Sequence, residues 1–259
     1  MPLRLKESDL PSLTSKTALV TGGTSGIGLQ TAILLASQGA TVHIASRNAA
    51  KGEGTVAALR VRYPSHTYHY HPLDLSNIAS AAASAADFAR DKNVDLDILV
   101  ANAGVACVPV DELSADGLDM AFAVNHVGHF VFISGLLPLL RRAAKRSGDA
   151  RIVITSSDAY KFVDGVDLSD VGRRVPGDGE SIRHLPAAMR RYGRSKRANI
   201  LFAMELDRRL RAPDGLGGCA GVRVNLCHPG TIGATGLGDG VYTCFSTFST
   251  AFWFYYTPC

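Results

Sequence analysis

Residues 21–28 read Thr-Gly-Gly-Thr-Ser-Gly-Ile-Gly and join an apolar run, 17–21, to a helical pattern that continues from Ile27 through Ala32, Leu35 and Ala36. A short buried strand that turns into a helix through glycines is the opening of a dinucleotide-binding βαβ unit. Gly22, Gly26 and Gly28 stand where backbone could approach a pyrophosphate lying on the helix N-terminus, with Ser25 and Ile27 in the same turn. Glycines also make tight turns for their own sake, so the reading depends on whether the rest of the chain continues the unit.

The alternation of strand and helix does continue. A second strand, 41–45, leads into Ser46, Arg47 and Asn48, where a unit preferring NAD would present Asp or Glu to the ribose hydroxyls. The guanidinium of Arg47 suits a 2′-phosphate instead, which favours NADP(H) over NAD(H). A helix over 49–63 precedes a strand over 67–72, in which His69 and His71 share one face and Tyr68 and Tyr70 the other. With no third ligand nearby, a half-exposed strand is expected there and no metal site. Asp74 stands where it could accept from an adenine amino group, or cap a helix over 76–90.

The strand 97–101 runs into Asn102, Ala103 and Gly104, small residues that keep the floor of a cleft open. Helical periodicity spans 111–142, with Phe122, Val127, Phe130, Val131, Leu136 and Leu137 as the buried side and an interruption at Pro138. Within it Asn125 either bonds backbone or holds a water. The β-branched run 151–155 delivers Ser156 and Ser157 to the carboxyl end of a parallel strand, where ligands gather. Gly165, Gly172, Pro176, Gly177 and Gly179 break residues 158–191, which read as a surface excursion on the substrate side.

Tyr192 and Lys196 are four residues apart on the next helix and so share a face. An ammonium beside a phenol favours tyrosinate and draws the phenol toward useful acid–base chemistry. The helix should bury Ala198, Phe202, Leu206 and Leu210, with Arg194, Arg197, Arg208 and Arg211 on a solvated flank. Val222–His228 is the sixth strand, ended by Pro229 and Gly230.

The whole reads as one domain, 1–259, of α/β class: a doubly wound parallel sheet, or Rossmann fold. A chain with 46% hydrophobic and 19% charged residues is that of a soluble protein, and a net charge of +4 implies no nucleic acid partner. The N-terminus lacks a signal-peptide apolar core, and Cys107, Cys219, Cys227, Cys244 and Cys259 are scattered, so a reducing cytoplasm is expected. Nothing after Asp239 is charged, and Phe252 to Tyr256 are all aromatic. Residues 236–259 are expected to be a lid or a shortened terminus, with docking on a partner subunit or a membrane surface as the alternative.

These features together resemble the short-chain dehydrogenase/reductase family over about residues 14–238. The resemblance rests on Thr21 to Gly28, Asp74, Asn102-Ala103-Gly104, Asn125, Ser157, Tyr192-x-x-x-Lys196 and Pro229-Gly230. Val124-Asn125-His126-Val127-Gly128-His129-Phe130 and His228-Pro229-Gly230 are most similar to its retinol dehydrogenase-like branch. Relatives there continue to a seventh strand and a final helix. Here the resemblance implies a C-terminally shortened sheet whose sixth strand is an unpaired edge.

The resemblance further implies hydride exchange between a nicotinamide and a carbonyl or secondary alcohol of a small hydrophobic substrate. Tyr192 would be the acid or base, and Lys196 would lower its pKa and bond the nicotinamide ribose. Ser157, rather than Ser156, would polarise the substrate oxygen, and Asn125 would position a water that links Lys196 to solvent. Gly22, Ser25, Gly26, Ile27, Gly28 and Arg47 would line the cofactor's phosphates and ribose. Asp74 would meet the adenine, with Asn102 and Gly104 beneath and Pro229 and Gly230 beyond. A Thr that commonly follows the Pro by five positions and meets the pyrophosphate is replaced by Ala234, beside Thr235. Family members often pair through two long helices, which implies a homo-oligomer. A non-catalytic NADP(H)-binding or interaction protein derived from a reductase is the alternative function.

Overall fold

In the computed structural model, Thr17–Thr21 forms β1 with Ala18, Leu19 and Val20 fully buried, as a central parallel strand covered on both faces requires. The structure describes residues 9–91, 94–106, 108–109, 111–169, 171–172, 185–212, 221–230 and 253–254. The helix α1 (Gly26–Ser37) returns the chain to β2 (Thr41–Ser46), and α2 (Ala49–Arg62) leads to β3 (Tyr68–Pro72). Then come α3 (Ile78–Arg90), β4 (Ile98–Ala101), the helical run Met120–Ser147, β5 (Ala150–Thr155), α6 (Leu185–Arg211) and β6 (Val222–His228).

The strands lie in the order β3-β2-β1-β4-β5-β6, all parallel. Order reverses between β1 and β4, and at such a switch point a crevice opens beyond the carboxyl ends of the strands. Ala32 and Ala36 of α1 and Val56 and Leu59 of α2 cover one face of the sheet. Phe88 of α3, Leu206 and Leu210 of α6, and Phe132, Ile133, Leu136, Leu139 and Leu140 of the long central run cover the other. That run is long and apolar enough to cross a membrane, yet its inner side is packed into the core.

Several elements depart from the sequence reading. The central run starts at Met120, nine residues after Asp111, because the Asp119 side chain accepts from Phe122 N at 2.8 Å and caps it. The preceding stretch, with Gly117 at φ 75°, is a turn closed by a Leu113–Asp119 bridge. The run comprises a short opening turn, α4 (Met120–Phe122), a π segment (Ala123–Val127) and α5 (Gly128–Ser147). Pro138 lies inside α5 and does not end it. Phe130, expected inside, is 47% exposed, because the buried stripe of α5 passes through His129, Phe132 and Ile133.

The third helix begins at Ile78, and its cap is Asn77, whose side chain accepts from Ser80 N; Asp74 instead accepts from Ser76. On β3 His69 stacks on His43, whereas His71 is buried and bonded to Ser84. The free edge expected at β6 is partly paired: Trp253–Phe254 forms β7, antiparallel, with Phe254 opposite Cys227 and Trp253 opposite His228. Otherwise residues 236–259, and Ala234 and Thr235, lie outside the described residues, as do Pro176, Gly177 and Gly179.

Candidate active site

The carboxyl ends of β1, β2, β4, β5 and β6 border a cleft of about 380 Å³. Gly22, Ser25, Gly26 and Ile27 enter it from the first turn, Arg47 from the end of β2 and Asp74 from beyond β3. Asn102 and Gly104 line it after β4, Ser157 after β5, Tyr192 and Lys196 on α6, and Pro229 and Gly230 after β6. Gly28 and Asn125 stand behind this wall. Thr155, Val124 and His228 also line the cleft. The sequence reading did not single out Thr155 or His228 as site residues, although the carboxyl end of a parallel strand is itself a signal for such positions.

The glycine turn is shaped by close approach. Gly22 has φ +67°, and a Cβ there would lie 2.9 Å from Ala103 Cα. A Cβ on Gly28 would lie 2.3 Å from Gly22 O and 2.5 Å from Asn102 Nδ2, so the helix fits against the turn only without a side chain. Asn102 Nδ2 donates to Thr21 O at 3.1 Å and holds the turn to the end of β4. At the start of α1, Ser25 makes no side-chain cap and the first turn carries no acidic residue. The first helical bond is Leu29 N to Ser25 O, so the preceding N–H groups of the cleft-lining Ser25, Gly26 and Ile27 have no helical acceptor, the ordinary condition for an anion site at a helix N-terminus. A dinucleotide pyrophosphate fits this cradle.

At the other end, α6 packs on a 3₁₀ turn, Asp158–Phe162, and a Cβ on Gly193 would meet Ala159 O at 2.4 Å. That contact sets Tyr192, 8% exposed, beside the turn that begins at Ser157. Lys196 is 3% exposed; its Nζ donates to Thr155 O at 3.1 Å and stands 5.6 Å from the centre of the Tyr192 ring. Burial lowers the Lys196 ammonium to about 8, opposed by the Cys227 thiol, which burial in turn pushes up.

The two serines differ in what holds them. Ser156 Oγ donates to Lys196 O at 3.1 Å, whereas Ser157 Oγ accepts from Ala159 N at 3.2 Å and keeps its hydrogen for another acceptor. Asn125 is fully buried in the π segment. Its Oδ1 accepts from Val105 N at 2.8 Å, and its Nδ2 donates to Val105 O at 2.9 Å and Ser195 Oγ at 3.0 Å. The carboxamide thus clamps the loop after Gly104 to α6.

Arg194 is not on a solvated flank. It is buried, pairs with Asp119, donates to Asp167 O at 2.9 Å and lies over the Phe122 ring. Arg197 donates to Val163 O, so both arginines bind the segment after β5 to α6, while Arg208 and Arg211 are exposed.

This geometry has a match among known proteins. Residues 16–164 fit the family model described as short chain dehydrogenase. The chain belongs to the short-chain dehydrogenase family. Among these dehydrogenases, one from Colletotrichum higginsianum, the short chain dehydrogenase/reductase dpchH, is 39% identical over 241 residues. The alignment takes in 90% of this chain and 58% of that relative, so the chain spans little more than half its length. Among solved structures, the Pseudomonas aeruginosa RhlG/NADP active-site complex is similar at TM-score 0.65 and 29% identity, covering 88% of this chain and 76% of that one. A Burkholderia phymatum short chain dehydrogenase/reductase in complex with NAD matches at TM-score 0.66 and 25% identity, over 90% and 72% of the two chains.

Proposed function

We propose that this chain is an NADP(H)-dependent oxidoreductase that transfers a hydride between nicotinamide and a carbonyl or secondary alcohol of a small hydrophobic substrate. The observation that carries the reading is that Tyr192, Lys196 and Ser157 line the same cleft as the glycine cradle. A nicotinamide cofactor, when bound, supplies or takes up the hydride. Gly22, Ser25, Gly26 and Ile27 would hold its pyrophosphate, with Asn102 and Gly104 beneath it.

The residues of the chain handle the proton. In reduction Tyr192 donates a proton to the carbonyl oxygen, and the buried ammonium of Lys196 stabilises the tyrosinate left behind. Ser157 donates its hydroxyl hydrogen to the same oxygen as negative charge develops there. In oxidation the same groups act in reverse. The 2′-phosphate preference rests on Arg47, exposed at the end of β2 with no carboxylate at the neighbouring Ser46 or Asn48. An NADP complex among the similar structures supports it, and the NAD complex makes NAD(H) the second reading. A second copy of the chain is the proposed partner, through Phe130 of α5 and Leu201 and Met204 of α6, all exposed.

Replacing Tyr192 by Phe tests the assignment. The variant should bind NADPH as the parent does and lose carbonyl-dependent NADPH oxidation; undiminished turnover would remove Tyr192 from the chemistry.

A further inference from the structure

His129 is 3% exposed and lies in the first turn of α5, on the core side. Its two ring nitrogens meet two different parts of the site. Nε2 is 2.9 Å from Thr21 Oγ1 at the end of β1, and Nδ1 is 3.2 Å from the carbonyl oxygen of Asn125 in the π segment. The hydrogen-bond count fixes which nitrogen carries the proton.

Thr21 Oγ1 accepts from Asn102 N at 2.9 Å and from Ala103 N at 3.0 Å, which uses both of its lone pairs. Its own hydrogen must therefore be donated. Nε2 at 2.9 Å is the nearer acceptor, against Val100 O at 3.4 Å. At the other nitrogen, a backbone carbonyl only accepts, so Nδ1 must bear the hydrogen. Both contacts demand the same neutral tautomer. A proton on Nε2 would face an oxygen with no lone pair left, so the arrangement excludes the other tautomer and the imidazolium alike.

The linkage extends on both sides. Through Thr21 it reaches the Asn102-Ala103 peptides that form the floor of the cleft. Through Asn125 it reaches Ser195, whose hydroxyl donates to Tyr192 O at 2.7 Å. We propose that His129 is a positioning residue, locked as the Nδ1–H tautomer, that ties the cleft floor after β4 to the segment that steadies Tyr192 and Lys196. It touches neither the cleft surface nor any reacting atom; it sets the register between the cofactor half and the proton-transfer half. Its effect on turnover rests on the function proposed above, whereas its effect on the floor does not.

Two cofactor-free measurements and one cofactor-dependent one test this. Long-range proton–nitrogen correlation spectra of the parent at pH 7 should show His129 protonated at Nδ1, and protonation at Nε2 would overturn the proposal. In His129→Leu, hydrogen exchange at the Asn102 and Ala103 amides should quicken at least about tenfold while core strand amides stay protected. His129→Gln, which offers an amide oxygen near the position of Nε2, should recover most of that protection. Unchanged exchange in His129→Leu, or no recovery in His129→Gln, would overturn it. If His129→Leu does not fold, the parent tautomer and a His129→Gln variant with parent-like exchange still decide the matter. With NADPH, the Leu variant should show a dissociation constant raised about tenfold and the Gln variant an intermediate one; equal affinities would overturn the link to the site. A parent that binds neither NADPH nor NADH would remove the proposed function and leave the exchange result to judge His129 alone.

Discussion

Lys196 donates from Nζ to the carbonyl oxygen of Thr155 at 3.1 Å, which joins the helix carrying Tyr192 to the strand end that delivers Ser157. The same lysine is buried, and burial is what lowers its ammonium to about 8. In the reductive direction, kcat/KM should fall as pH rises through about 8, because loss of the Lys196 proton removes the charge that favours tyrosinate. A pH profile of NADPH oxidation checks this, and Lys196→Arg should move the falling limb upward, since a guanidinium keeps its proton.

Gly28→Ala should impair both folding and cofactor binding. The new Cβ would lie 2.3 Å from Gly22 O, against backbone that cannot move aside cheaply. A loss of roughly 1–3 kcal/mol in urea unfolding is expected from such overpacking, together with weaker NADPH binding. Gly54→Ala, where nothing lies within 4 Å of the added Cβ, should show neither effect and serves as the control.

Asp119→Ala should be among the more damaging single changes. It removes both the carboxylate paired with the buried Arg194 and the cap on Phe122 N. Breaking a buried pair by deleting one partner costs about 3–5 kcal/mol, which chemical denaturation would detect directly.

Stability should decline below neutral pH. Burial holds the His129 imidazole at about 4, below the 6.5 of an exposed histidine, and His43 is lowered in the same direction. The unfolded chain therefore binds more protons between those values. The contribution is fully present above about 6.5 and is lost as pH falls toward 4. From about pH 7 to about pH 4.5, unfolding free energy should drop by about 2 kcal/mol for His129 alone. A His129→Gln variant should show a shallower slope over that range.

Much of this fold was legible because parallel strands buried on both faces read as short apolar runs, and the glycine turn at 21–28 fixes their direction. That Tyr192, Lys196, Ser156 and Ser157 line the cleft was legible for a related reason, since local spacing and the carboxyl end of a strand place them. What escaped depends on partners far off in sequence. Arg194 sits among arginines on a helix, and the Asp119 carboxylate that pairs with it in the interior comes from 75 residues away. The role of His129 depends on Thr21, 108 residues away. The start of the central helix was missed because Asp111, Asp116 and Asp119 are equally good caps in sequence, and only Asp119 accepts from the first turn.

Arg47→Asp separates the two cofactors. A carboxylate at the end of β2 should weaken NADPH binding far more than NADH binding, because it repels a 2′-phosphate and suits a free ribose hydroxyl. Equal effects on both would show that Arg47 does not read that phosphate.

The most direct measurement of the central claim is the melting temperature of this chain titrated with NADPH and, separately, with NADH. Binding to the folded state alone adds about 2.7 kcal/mol at a hundred times the dissociation constant, a rise of roughly 5 °C for a chain of this size. A saturable rise that is larger with NADPH is the predicted result. A cooperative melt that neither cofactor moves would contradict the account.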